Sequence, residues 1–493
     1  MMNSKSQVVS RFCLLLALAP LQVGCSDDGV EPDRLLSVSL SPTDSTIFVG
    51  DAVVYEARAR YESGTRPPDS VTWTVSNPGV LLVTIETGSS ATVTGIERGE
   101  GFVIAEVDEQ LVDSVHVAVV GPGDVRWRAD TEGASGWGNT AALDDLARIY
   151  VSGQANGLYA YSTSGELLFT EPSCYSVSSP SVAPNGTAYL TGHDCTQARN
   201  ADGSLRWSLP IGAGIEGGVA VTSDGSVVLL HNVADGASGA AVVSLISAGG
   251  LEAWRDTLGV TDLGLIQESP ASVGTDGSIY AAWMQDYLGT YWVSRVTSAG
   301  ITRWTVPLSG PLEHQTVAIV EGRVFVAYSG GLAVYDTLGT LLWEQAVGSY
   351  AVSSPTIDAG GNILVQSGTG LLSYDPDGSL RWSADSLRHS CSQSSGAPTL
   401  LQDRQLVVPC EDSTSGSEVC AVNSEDGSPL WRSNVGGDAS CSSPTVAQDG
   451  TIYAVFETAS SSSELVALWN RVPPLREGWP TEGGGMGRLR RQH

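Results

Sequence analysis

Ser353-Ser354-Pro355-Thr356-Ile357, followed twenty residues later by Asp377-Gly378-Ser379-Leu380-Arg381-Trp382, is the stretch on which the fold turns. It reads as a small-residue strand, a glycine turn, two β-rich strands, then an aspartate–glycine turn into a fourth strand that ends in tryptophan. The unit recurs, most clearly from Ser442-Ser443-Pro444-Thr445-Val446 through Asp449-Gly450-Thr451-Ile452-Tyr453. Its closing aromatics fall at Trp127, Phe169, Trp207, Trp254, Trp304, Trp343, Trp382, Trp431 and Trp479, spaced 38 to 50 residues apart. Four strands per unit at that period is the signature of a β-propeller. The chemistry agrees with it. Innermost strands crowd a central channel and need Ser, Ala and Gly, while an outer-strand indole offers a flat surface that wedges against the next blade. Asn185-Gly186, Asp224-Gly225, Asp276-Gly277 and Asp449-Gly450 supply the positive-φ residues of tight hairpins.

First strands begin near Asn139, Ser178, Gly217, Ser269, Thr316, Ser354, Gly396 and Ser443, which favours eight blades over the alternative of seven. The propeller is expected over residues 124–480, with a Gly/Arg-rich tail at 481–493. Nine closing aromatics are one too many for eight blades. Either Trp127 or Trp479 therefore closes the ring by joining a blade begun at the other end, and the sequence does not say which. The run Leu332-Ala333-Val334-Tyr335-Asp336-Thr337-Leu338-Gly339-Thr340-Leu341-Leu342-Trp343 resembles a pyrroloquinoline-quinone-type propeller repeat.

Six cysteines lie in the repeats: Cys174, Cys195, Cys391, Cys410, Cys420 and Cys441. None forms a C-x-x-C pair, and an even count suggests disulfides if the chain is exported. The repeat frame puts Cys174 before a first strand and Cys195 after the following second strand; Cys391 and Cys410 occupy the same two places in a later unit. Cys420, near the start of a third strand, and Cys441, after the fourth, meet on the same rim. The expected bridges are 174–195, 391–410 and 420–441, with free thiols as the alternative.

Upstream, residues 35–121 alternate in strand fashion, as in Val71-Thr72-Trp73-Thr74-Val75 and Val115-His116-Val117-Ala118-Val119, with turns at Val49-Gly50-Asp51 and Ser76-Asn77-Pro78-Gly79. Six or seven short strands in so few residues suit a small β-sandwich. The order Ser-Val-Ser-Leu-Ser-Pro, Val-Gly-Asp, Val-Thr-Trp, Ser-Asn-Pro, Val-Thr-Gly and a closing Val-x-Val resembles the group-2 bacterial immunoglobulin-like domain. Members of that family are spacers or adhesive modules, and spacer is the expectation here. At the start, Lys5 and Arg11 precede the apolar run Phe12–Leu21, too short to span a bilayer and of signal-peptide size. With Leu21-Gln22-Val23-Gly24-Cys25 it resembles a bacterial lipoprotein signal. That implies cleavage after residue 24, acylation of Cys25, a polar tether to residue 34, and, from Ser26, sorting to the outer membrane.

The 493 residues carry 54 acidic and 25 basic side chains, for a net charge of −29. So acidic a chain is a poor ligand for nucleic acid or anionic lipid. Gly212-Ala213-Gly214-Ile215-Glu216-Gly217 matches a dinucleotide motif but is followed by strand-forming residues rather than a helix. Asp375-Pro376-Asp377-Gly378 is a hairpin turn rather than a calcium loop, since the later glutamate ligand is missing. His116, His193, His231, His314 and His389 have no metal-ligand spacing and read as loop or surface residues. No G-x-S-x-G elbow occurs, and no pair of carboxylates can be singled out. Quinone dehydrogenases built on this repeat use adjacent cysteines and a calcium ligand set, which this chain lacks; no catalytic, cofactor or metal residue is expected. The repeat without that site resembles the non-enzymatic propeller lipoprotein of outer-membrane protein assembly. The reading is an all-β chain: a lipid-anchored scaffold at the cell envelope whose propeller binds protein or glycan, the alternative being a propeller enzyme, either a quinoprotein or a polysaccharide-active protein.

Overall fold

A computed structural model describes residues 33–477 apart from 69, 110, 132–139, 154–156, 175–178, 193, 212–217, 236–237, 263–268, 287–288, 313–314, 349–351, 388–395, 413–415, 436–441 and 458–462. The expected signal peptide, Cys25, Cys391, Cys441, Trp479 and the Gly/Arg-rich tail lie outside the described residues, as do His193, His314, His389 and the Gly212–Gly217 motif. All regular structure among the described residues is β, in two compact units that divide at Val119/Val120.

The first unit holds nine strands in two antiparallel sheets. One sheet runs Leu35–Ser41, Ala52–Tyr61, Ser90–Gly95, Leu81–Thr87, with the short Gly64–Arg66 also paired to Ala52–Tyr61; the other runs Ser45–Phe48, Leu111–Val120, Gly99–Val107, Val71–Val75. Alternation sorts the faces: along Ala52–Tyr61 the side chains of Tyr55, Ala57, Ala59 and Tyr61 are buried while Glu56, Arg58 and Arg60 face water. Tyr55, Leu81 and Val93 from one sheet and Trp73, Val103 and Val117 from the other share one apolar cluster, so neither sheet is stable alone. At the Val49-Gly50-Asp51 turn, Gly50 adopts φ +91° and Asp51 N–H returns to the Phe48 carbonyl at 2.9 Å.

The second unit consists of eight four-stranded antiparallel sheets. Seven are simple meanders in chain order, the first being Ala142–Leu143, Ile149–Gly153, Gly157–Tyr161, Leu167–Glu171. The eighth combines both ends of the unit: Val125–Asp130 pairs with Ser463–Leu468, which continues to Ile452–Glu457 and Thr445–Val446. Trp127 therefore sits in the closing strand. First strands are two or three residues long and start two or three residues after the sequence markers, at Ala142, Ser181, Ala220, Ser272, Ala318, Thr356, Thr399 and Thr445. Small buried side chains let them pack side by side. Hydroxyls tie neighbours together: Thr356 Oγ1 donates to Pro398 O (2.7 Å), Thr399 Oγ1 to Pro444 O (2.6 Å) and Thr445 Oγ1 to Ala141 O (2.7 Å). The last of these joins the eighth sheet to the first.

The closing aromatics supply the outer contact. Each lies against a left-handed turn glycine of the next sheet: Trp127 on Gly165, Phe169 on Gly203, Trp207 on Gly250, Trp254 on Gly300, Trp304 on Gly339, Trp343 on Gly378, Trp382 on Gly427 and Trp431 on Gly123. Trp343 Nε1 also donates to Pro376 O at 3.0 Å, and Trp127 Nε1 to Thr163 O at 2.8 Å. Only glycine fits beneath these rings, which is why the repeat always places one there.

Two disulfides are formed among the described residues. Cys174 joins Cys195, with Cα atoms 5.3 Å apart, and Cys410 joins Cys420 at 5.9 Å. The second corrects the expected 391–410 and 420–441 bridges. Cys410 and Cys420 sit on the paired strands Gln405–Asp412 and Gly416–Asn423, where Cys410 faces Glu418 and Cys420 faces Val408. That diagonal brings the sulfurs together across one hairpin.

Candidate interaction face

A four-stranded meander puts its first and third turns at one end and its second turn, with the link to the next sheet, at the other. The two ends differ here. At the first end the turns are tight and self-satisfied: Gly225 N–H returns to Thr222 O (3.1 Å), Gly339 to Asp336 O (3.1 Å) and Gly378 to Asp375 O (2.9 Å). Aspartate side chains brace them. Asp377 accepts from Ser379 N–H and Asp336 from Thr340 N–H, and these bonds hold both carboxyls below the usual carboxylate range.

The opposite end carries both disulfides and the longest strands. In the third sheet Val227–Asp235, Ser238–Ile246 and Glu252–Thr261 run nine, nine and ten residues, and in the fourth Ile279–Asp286 runs eight, against four in Ala188–Thr191. Their tips join into one wall. Asp262 N–H donates to Gln285 O (3.0 Å), Thr261 Oγ1 to Asn232 Oδ1 (2.8 Å), and Trp292 Nε1 to Gln285 Oε1 (2.8 Å). Trp283 and Trp292 stack with centroids 6.2 Å apart, and the bare backbone of Gly259 lies beneath the Trp283 ring. Val260 is 61% exposed on this wall, and Met284, Tyr291 and Trp292 are partly exposed. Apolar and aromatic groups held on rigid strands suit protein contact. The sequence carried a signal for the extension that residue type alone did not reveal. The units closing at Trp254, Trp304 and Trp431 span 47, 50 and 49 residues, and the surplus lies in these long strands and their neighbouring loops.

The titratable groups inside the sheets are structural. His231 corrects the expectation of a loop or surface residue: it lies buried in mid-strand, with Nε2 2.9 Å from Ser244 Oγ. Burial, reinforced by the Arg255 charge, pushes its pKa down to about 4, so it is neutral near pH 7. Although serine beside histidine is the beginning of a nucleophile–base pair, both side chains are sealed from substrate. His116 is partly exposed, 3.4 Å from Glu100. Among the described residues two groups have metal-ligand closeness, Cys174–Asp194–Cys195 and Cys410–Glu418–Cys420. In both the sulfurs are joined to each other, so neither offers a thiolate. Glu418 instead accepts from Arg432 at 3.0 Å. Buried Arg199 serves packing in the same way, donating to Gly203 O (2.8 Å) and to the Pro172 carbonyl, with Glu171 3.3 Å away.

No curated protein matches the chain. Among solved structures it is similar to BamB from Moraxella catarrhalis (17% identity, 66% of this chain and 95% of that one, TM-score 0.45). It is also similar to the Dos1 propeller (9% identity, 70% and 94%, TM-score 0.49). A third is a quinoprotein alcohol dehydrogenase-like protein from Bacteroides thetaiotaomicron (12% identity, 69% and 93%, TM-score 0.35). The sequence profile of one family, described as outer membrane protein assembly factor BamB, matches residues 113–286 and 289–488. Since those two stretches take in most of the chain and all eight sheets, the protein belongs to that family.

Proposed function

We propose that this protein is a non-catalytic scaffold of the bacterial cell envelope, an eight-bladed propeller that holds a protein partner against its long-strand face. The family match carries the reading. The unequal ends of the sheets support it: one end is closed by short turns, while the other offers the wall around Val260 and Trp292. In this reading the eight sheets are the blades, and the first unit is a group-2 immunoglobulin-like spacer. Cys25 is the lipidated residue that anchors the chain to the outer membrane, and it predicts incorporation of labelled palmitate that Cys25→Ala abolishes.

The test places a photo-crosslinking amino acid in living cells at Val260 on the wall, or at Leu338, which is 76% exposed in a turn at the opposite end. A discrete envelope protein captured from position 260 and not from 338 is the expected result. Equal capture from both positions, or none from 260, overturns the proposal.

A further inference from the structure

Beyond the last strand of the eighth sheet, the chain turns back across the end that carries the tight turns. Asn470 Nδ2 donates to Gly450 O (3.1 Å), and the backbone of residues 471–472 lies where a side chain on Gly450 would stand. The chain then meets the seventh sheet, whose first strand is Thr399–Leu400, from the inside. Leu475 N–H donates to Leu400 O (2.9 Å) and Gln402 N–H to Pro473 O (2.9 Å), while Leu401 N–H turns the other way, to Gln405 O. Residues 473–475 are therefore a short fifth strand on the innermost edge, antiparallel through Leu401 and Pro474. Leu475 packs against the apolar cluster of Leu400 and Leu406.

That pairing fixes a direction. Each first strand runs toward the tight turns, so its antiparallel neighbour runs away from them, into the middle of the ring. Leu475, bonded to Leu400, lies deeper than Pro473, bonded to Gln402. The middle is sealed. Residues of all eight first strands are at most 5% exposed, whereas a water-filled channel would wet their inward edges. Residues 478–493, which lie outside the described residues, follow directly. Sixteen residues reach about 50 Å when extended, against about 13–30 Å for the four- to nine-residue second strands beside the channel. Five of the sixteen are glycines, which need little width, and Arg488, Arg490 and Arg491 outweigh the single Glu482 in a chain of net charge −29. The mouth through which the chain enters is acidic. Seven of the eight first turns carry a carboxylate, among them Asp145, Asp224, Glu321, Asp358 and Asp403.

We propose that residues 478–493 fill the central channel of the ring, entering beside residues 473–475, with their arginines held by the carboxylates of the first turns. The channel is then occupied by the chain itself rather than by a ligand, which leaves the two rims as the surfaces for partners. The inference stands apart from the identity of any partner.

A photo-crosslinking amino acid at position 479 of the full chain tests it, read by digestion and mass spectrometry. The expected cross-links are intramolecular and join that position to the first strands of two or more sheets, at residues such as Ser181 or Thr356. Trypsin supplies a second reading: cleavage after Arg488 should be about tenfold or more slower in the native chain than in a synthetic peptide of residues 478–493. High salt, which screens the arginines from the carboxylates, should reduce that protection. Cross-links confined to outer strands, to the first unit or to a second copy overturn the inference, as does native cleavage at the peptide's rate. Protection indifferent to salt overturns the part assigned to charge.

Discussion

Replacing Gly378 with alanine tests the contact that holds neighbouring sheets together. Gly378 adopts φ +89°, and a Cβ built there would come 2.8 Å from Cδ2 of Trp343. The ring cannot swing away freely, because its Nε1 donates to Pro376 O at 3.0 Å in the same turn. Two costs add. Holding alanine in the left-handed region costs about 1–2 kcal/mol, and forcing a methyl into a packed contact costs about 1–3 kcal/mol more. Gly322 separates them: its φ is +76° but nothing lies within 4 Å of its Cβ position, so Gly322→Ala incurs only the first cost. Urea titration followed by tryptophan fluorescence should show Gly378→Ala less stable than Gly322→Ala by about 1–3 kcal/mol, with similar m-values. Equal destabilisation of the two variants would mean that the indole does not press on the turn, and the account of how sheets dock would fail.

Trp343→Phe should cost about 1 kcal/mol more than Trp382→Phe in the same titration, since Trp343 Nε1 has a hydrogen bond and buried Trp382 Nε1 has none among the described residues. A non-reduced digest should yield a Cys410–Cys420 linked peptide; the linkage of Cys391 to Cys410 would refute the hairpin geometry. Loop-closure entropy makes the Cys174–Cys195 bridge, 21 residues apart, worth about 3 kcal/mol, to be read as the stability lost in Cys174→Ala/Cys195→Ala. For His231, whose folded pKa of about 4 lies below its unfolded value near 6.5, the unfolded chain binds the extra proton between those limits. Stability should therefore fall as the pH drops from 6.5 to 4, by about 2–3 kcal/mol from this residue; a His231→Gln variant with an undiminished pH slope over that window would contradict its burial.

The repeat was legible because each unit repeats a rigid chemical requirement. An aspartate–glycine turn precedes an indole because the glycine makes room for the previous sheet's ring, so Asp377-Gly378 and Trp382 announce both halves of a contact. Closure was not legible. Trp127 and Trp479 satisfy the same local pattern, and only the pairing of Val125–Asp130 with Ser463–Leu468 distinguishes the first of them. The Cys410–Cys420 bridge was missed for a related reason: repeat position fixes the rim on which a cysteine lies but not the strand register that brings two sulfurs together. His231 was read as a loop or surface residue because its spacing showed no metal ligand, although the apolar run Val227-Val228-Leu229-Leu230 before it marks a buried strand. Here both faces of the strand are covered, and the Ser244 hydroxyl satisfies the inward nitrogen. In the first unit the strand alternation was plain, but that Ser90–Gly95 stops beside Glu56 and Gly64–Arg66 resumes from Ala59 is something alternation does not encode.

Building the eighth sheet from both ends of the unit sets the order in which the ring can form. Arg128 meets Glu464 at 2.9 Å across 336 positions of sequence. Closing so long a loop costs about 5 kcal/mol more in chain entropy than a single-residue step, and nothing repays it until the last strands exist. During synthesis Val125–Asp130 emerges first and waits as a bare edge while seven sheets assemble behind it. The clasp lies within a sheet rather than between sheets, so once made it is held by a full ladder of hydrogen bonds. A chain re-cut at one of the hydrogen-bonded turns, with its old ends joined, would keep every sheet but exchange that late, long-range closure for another.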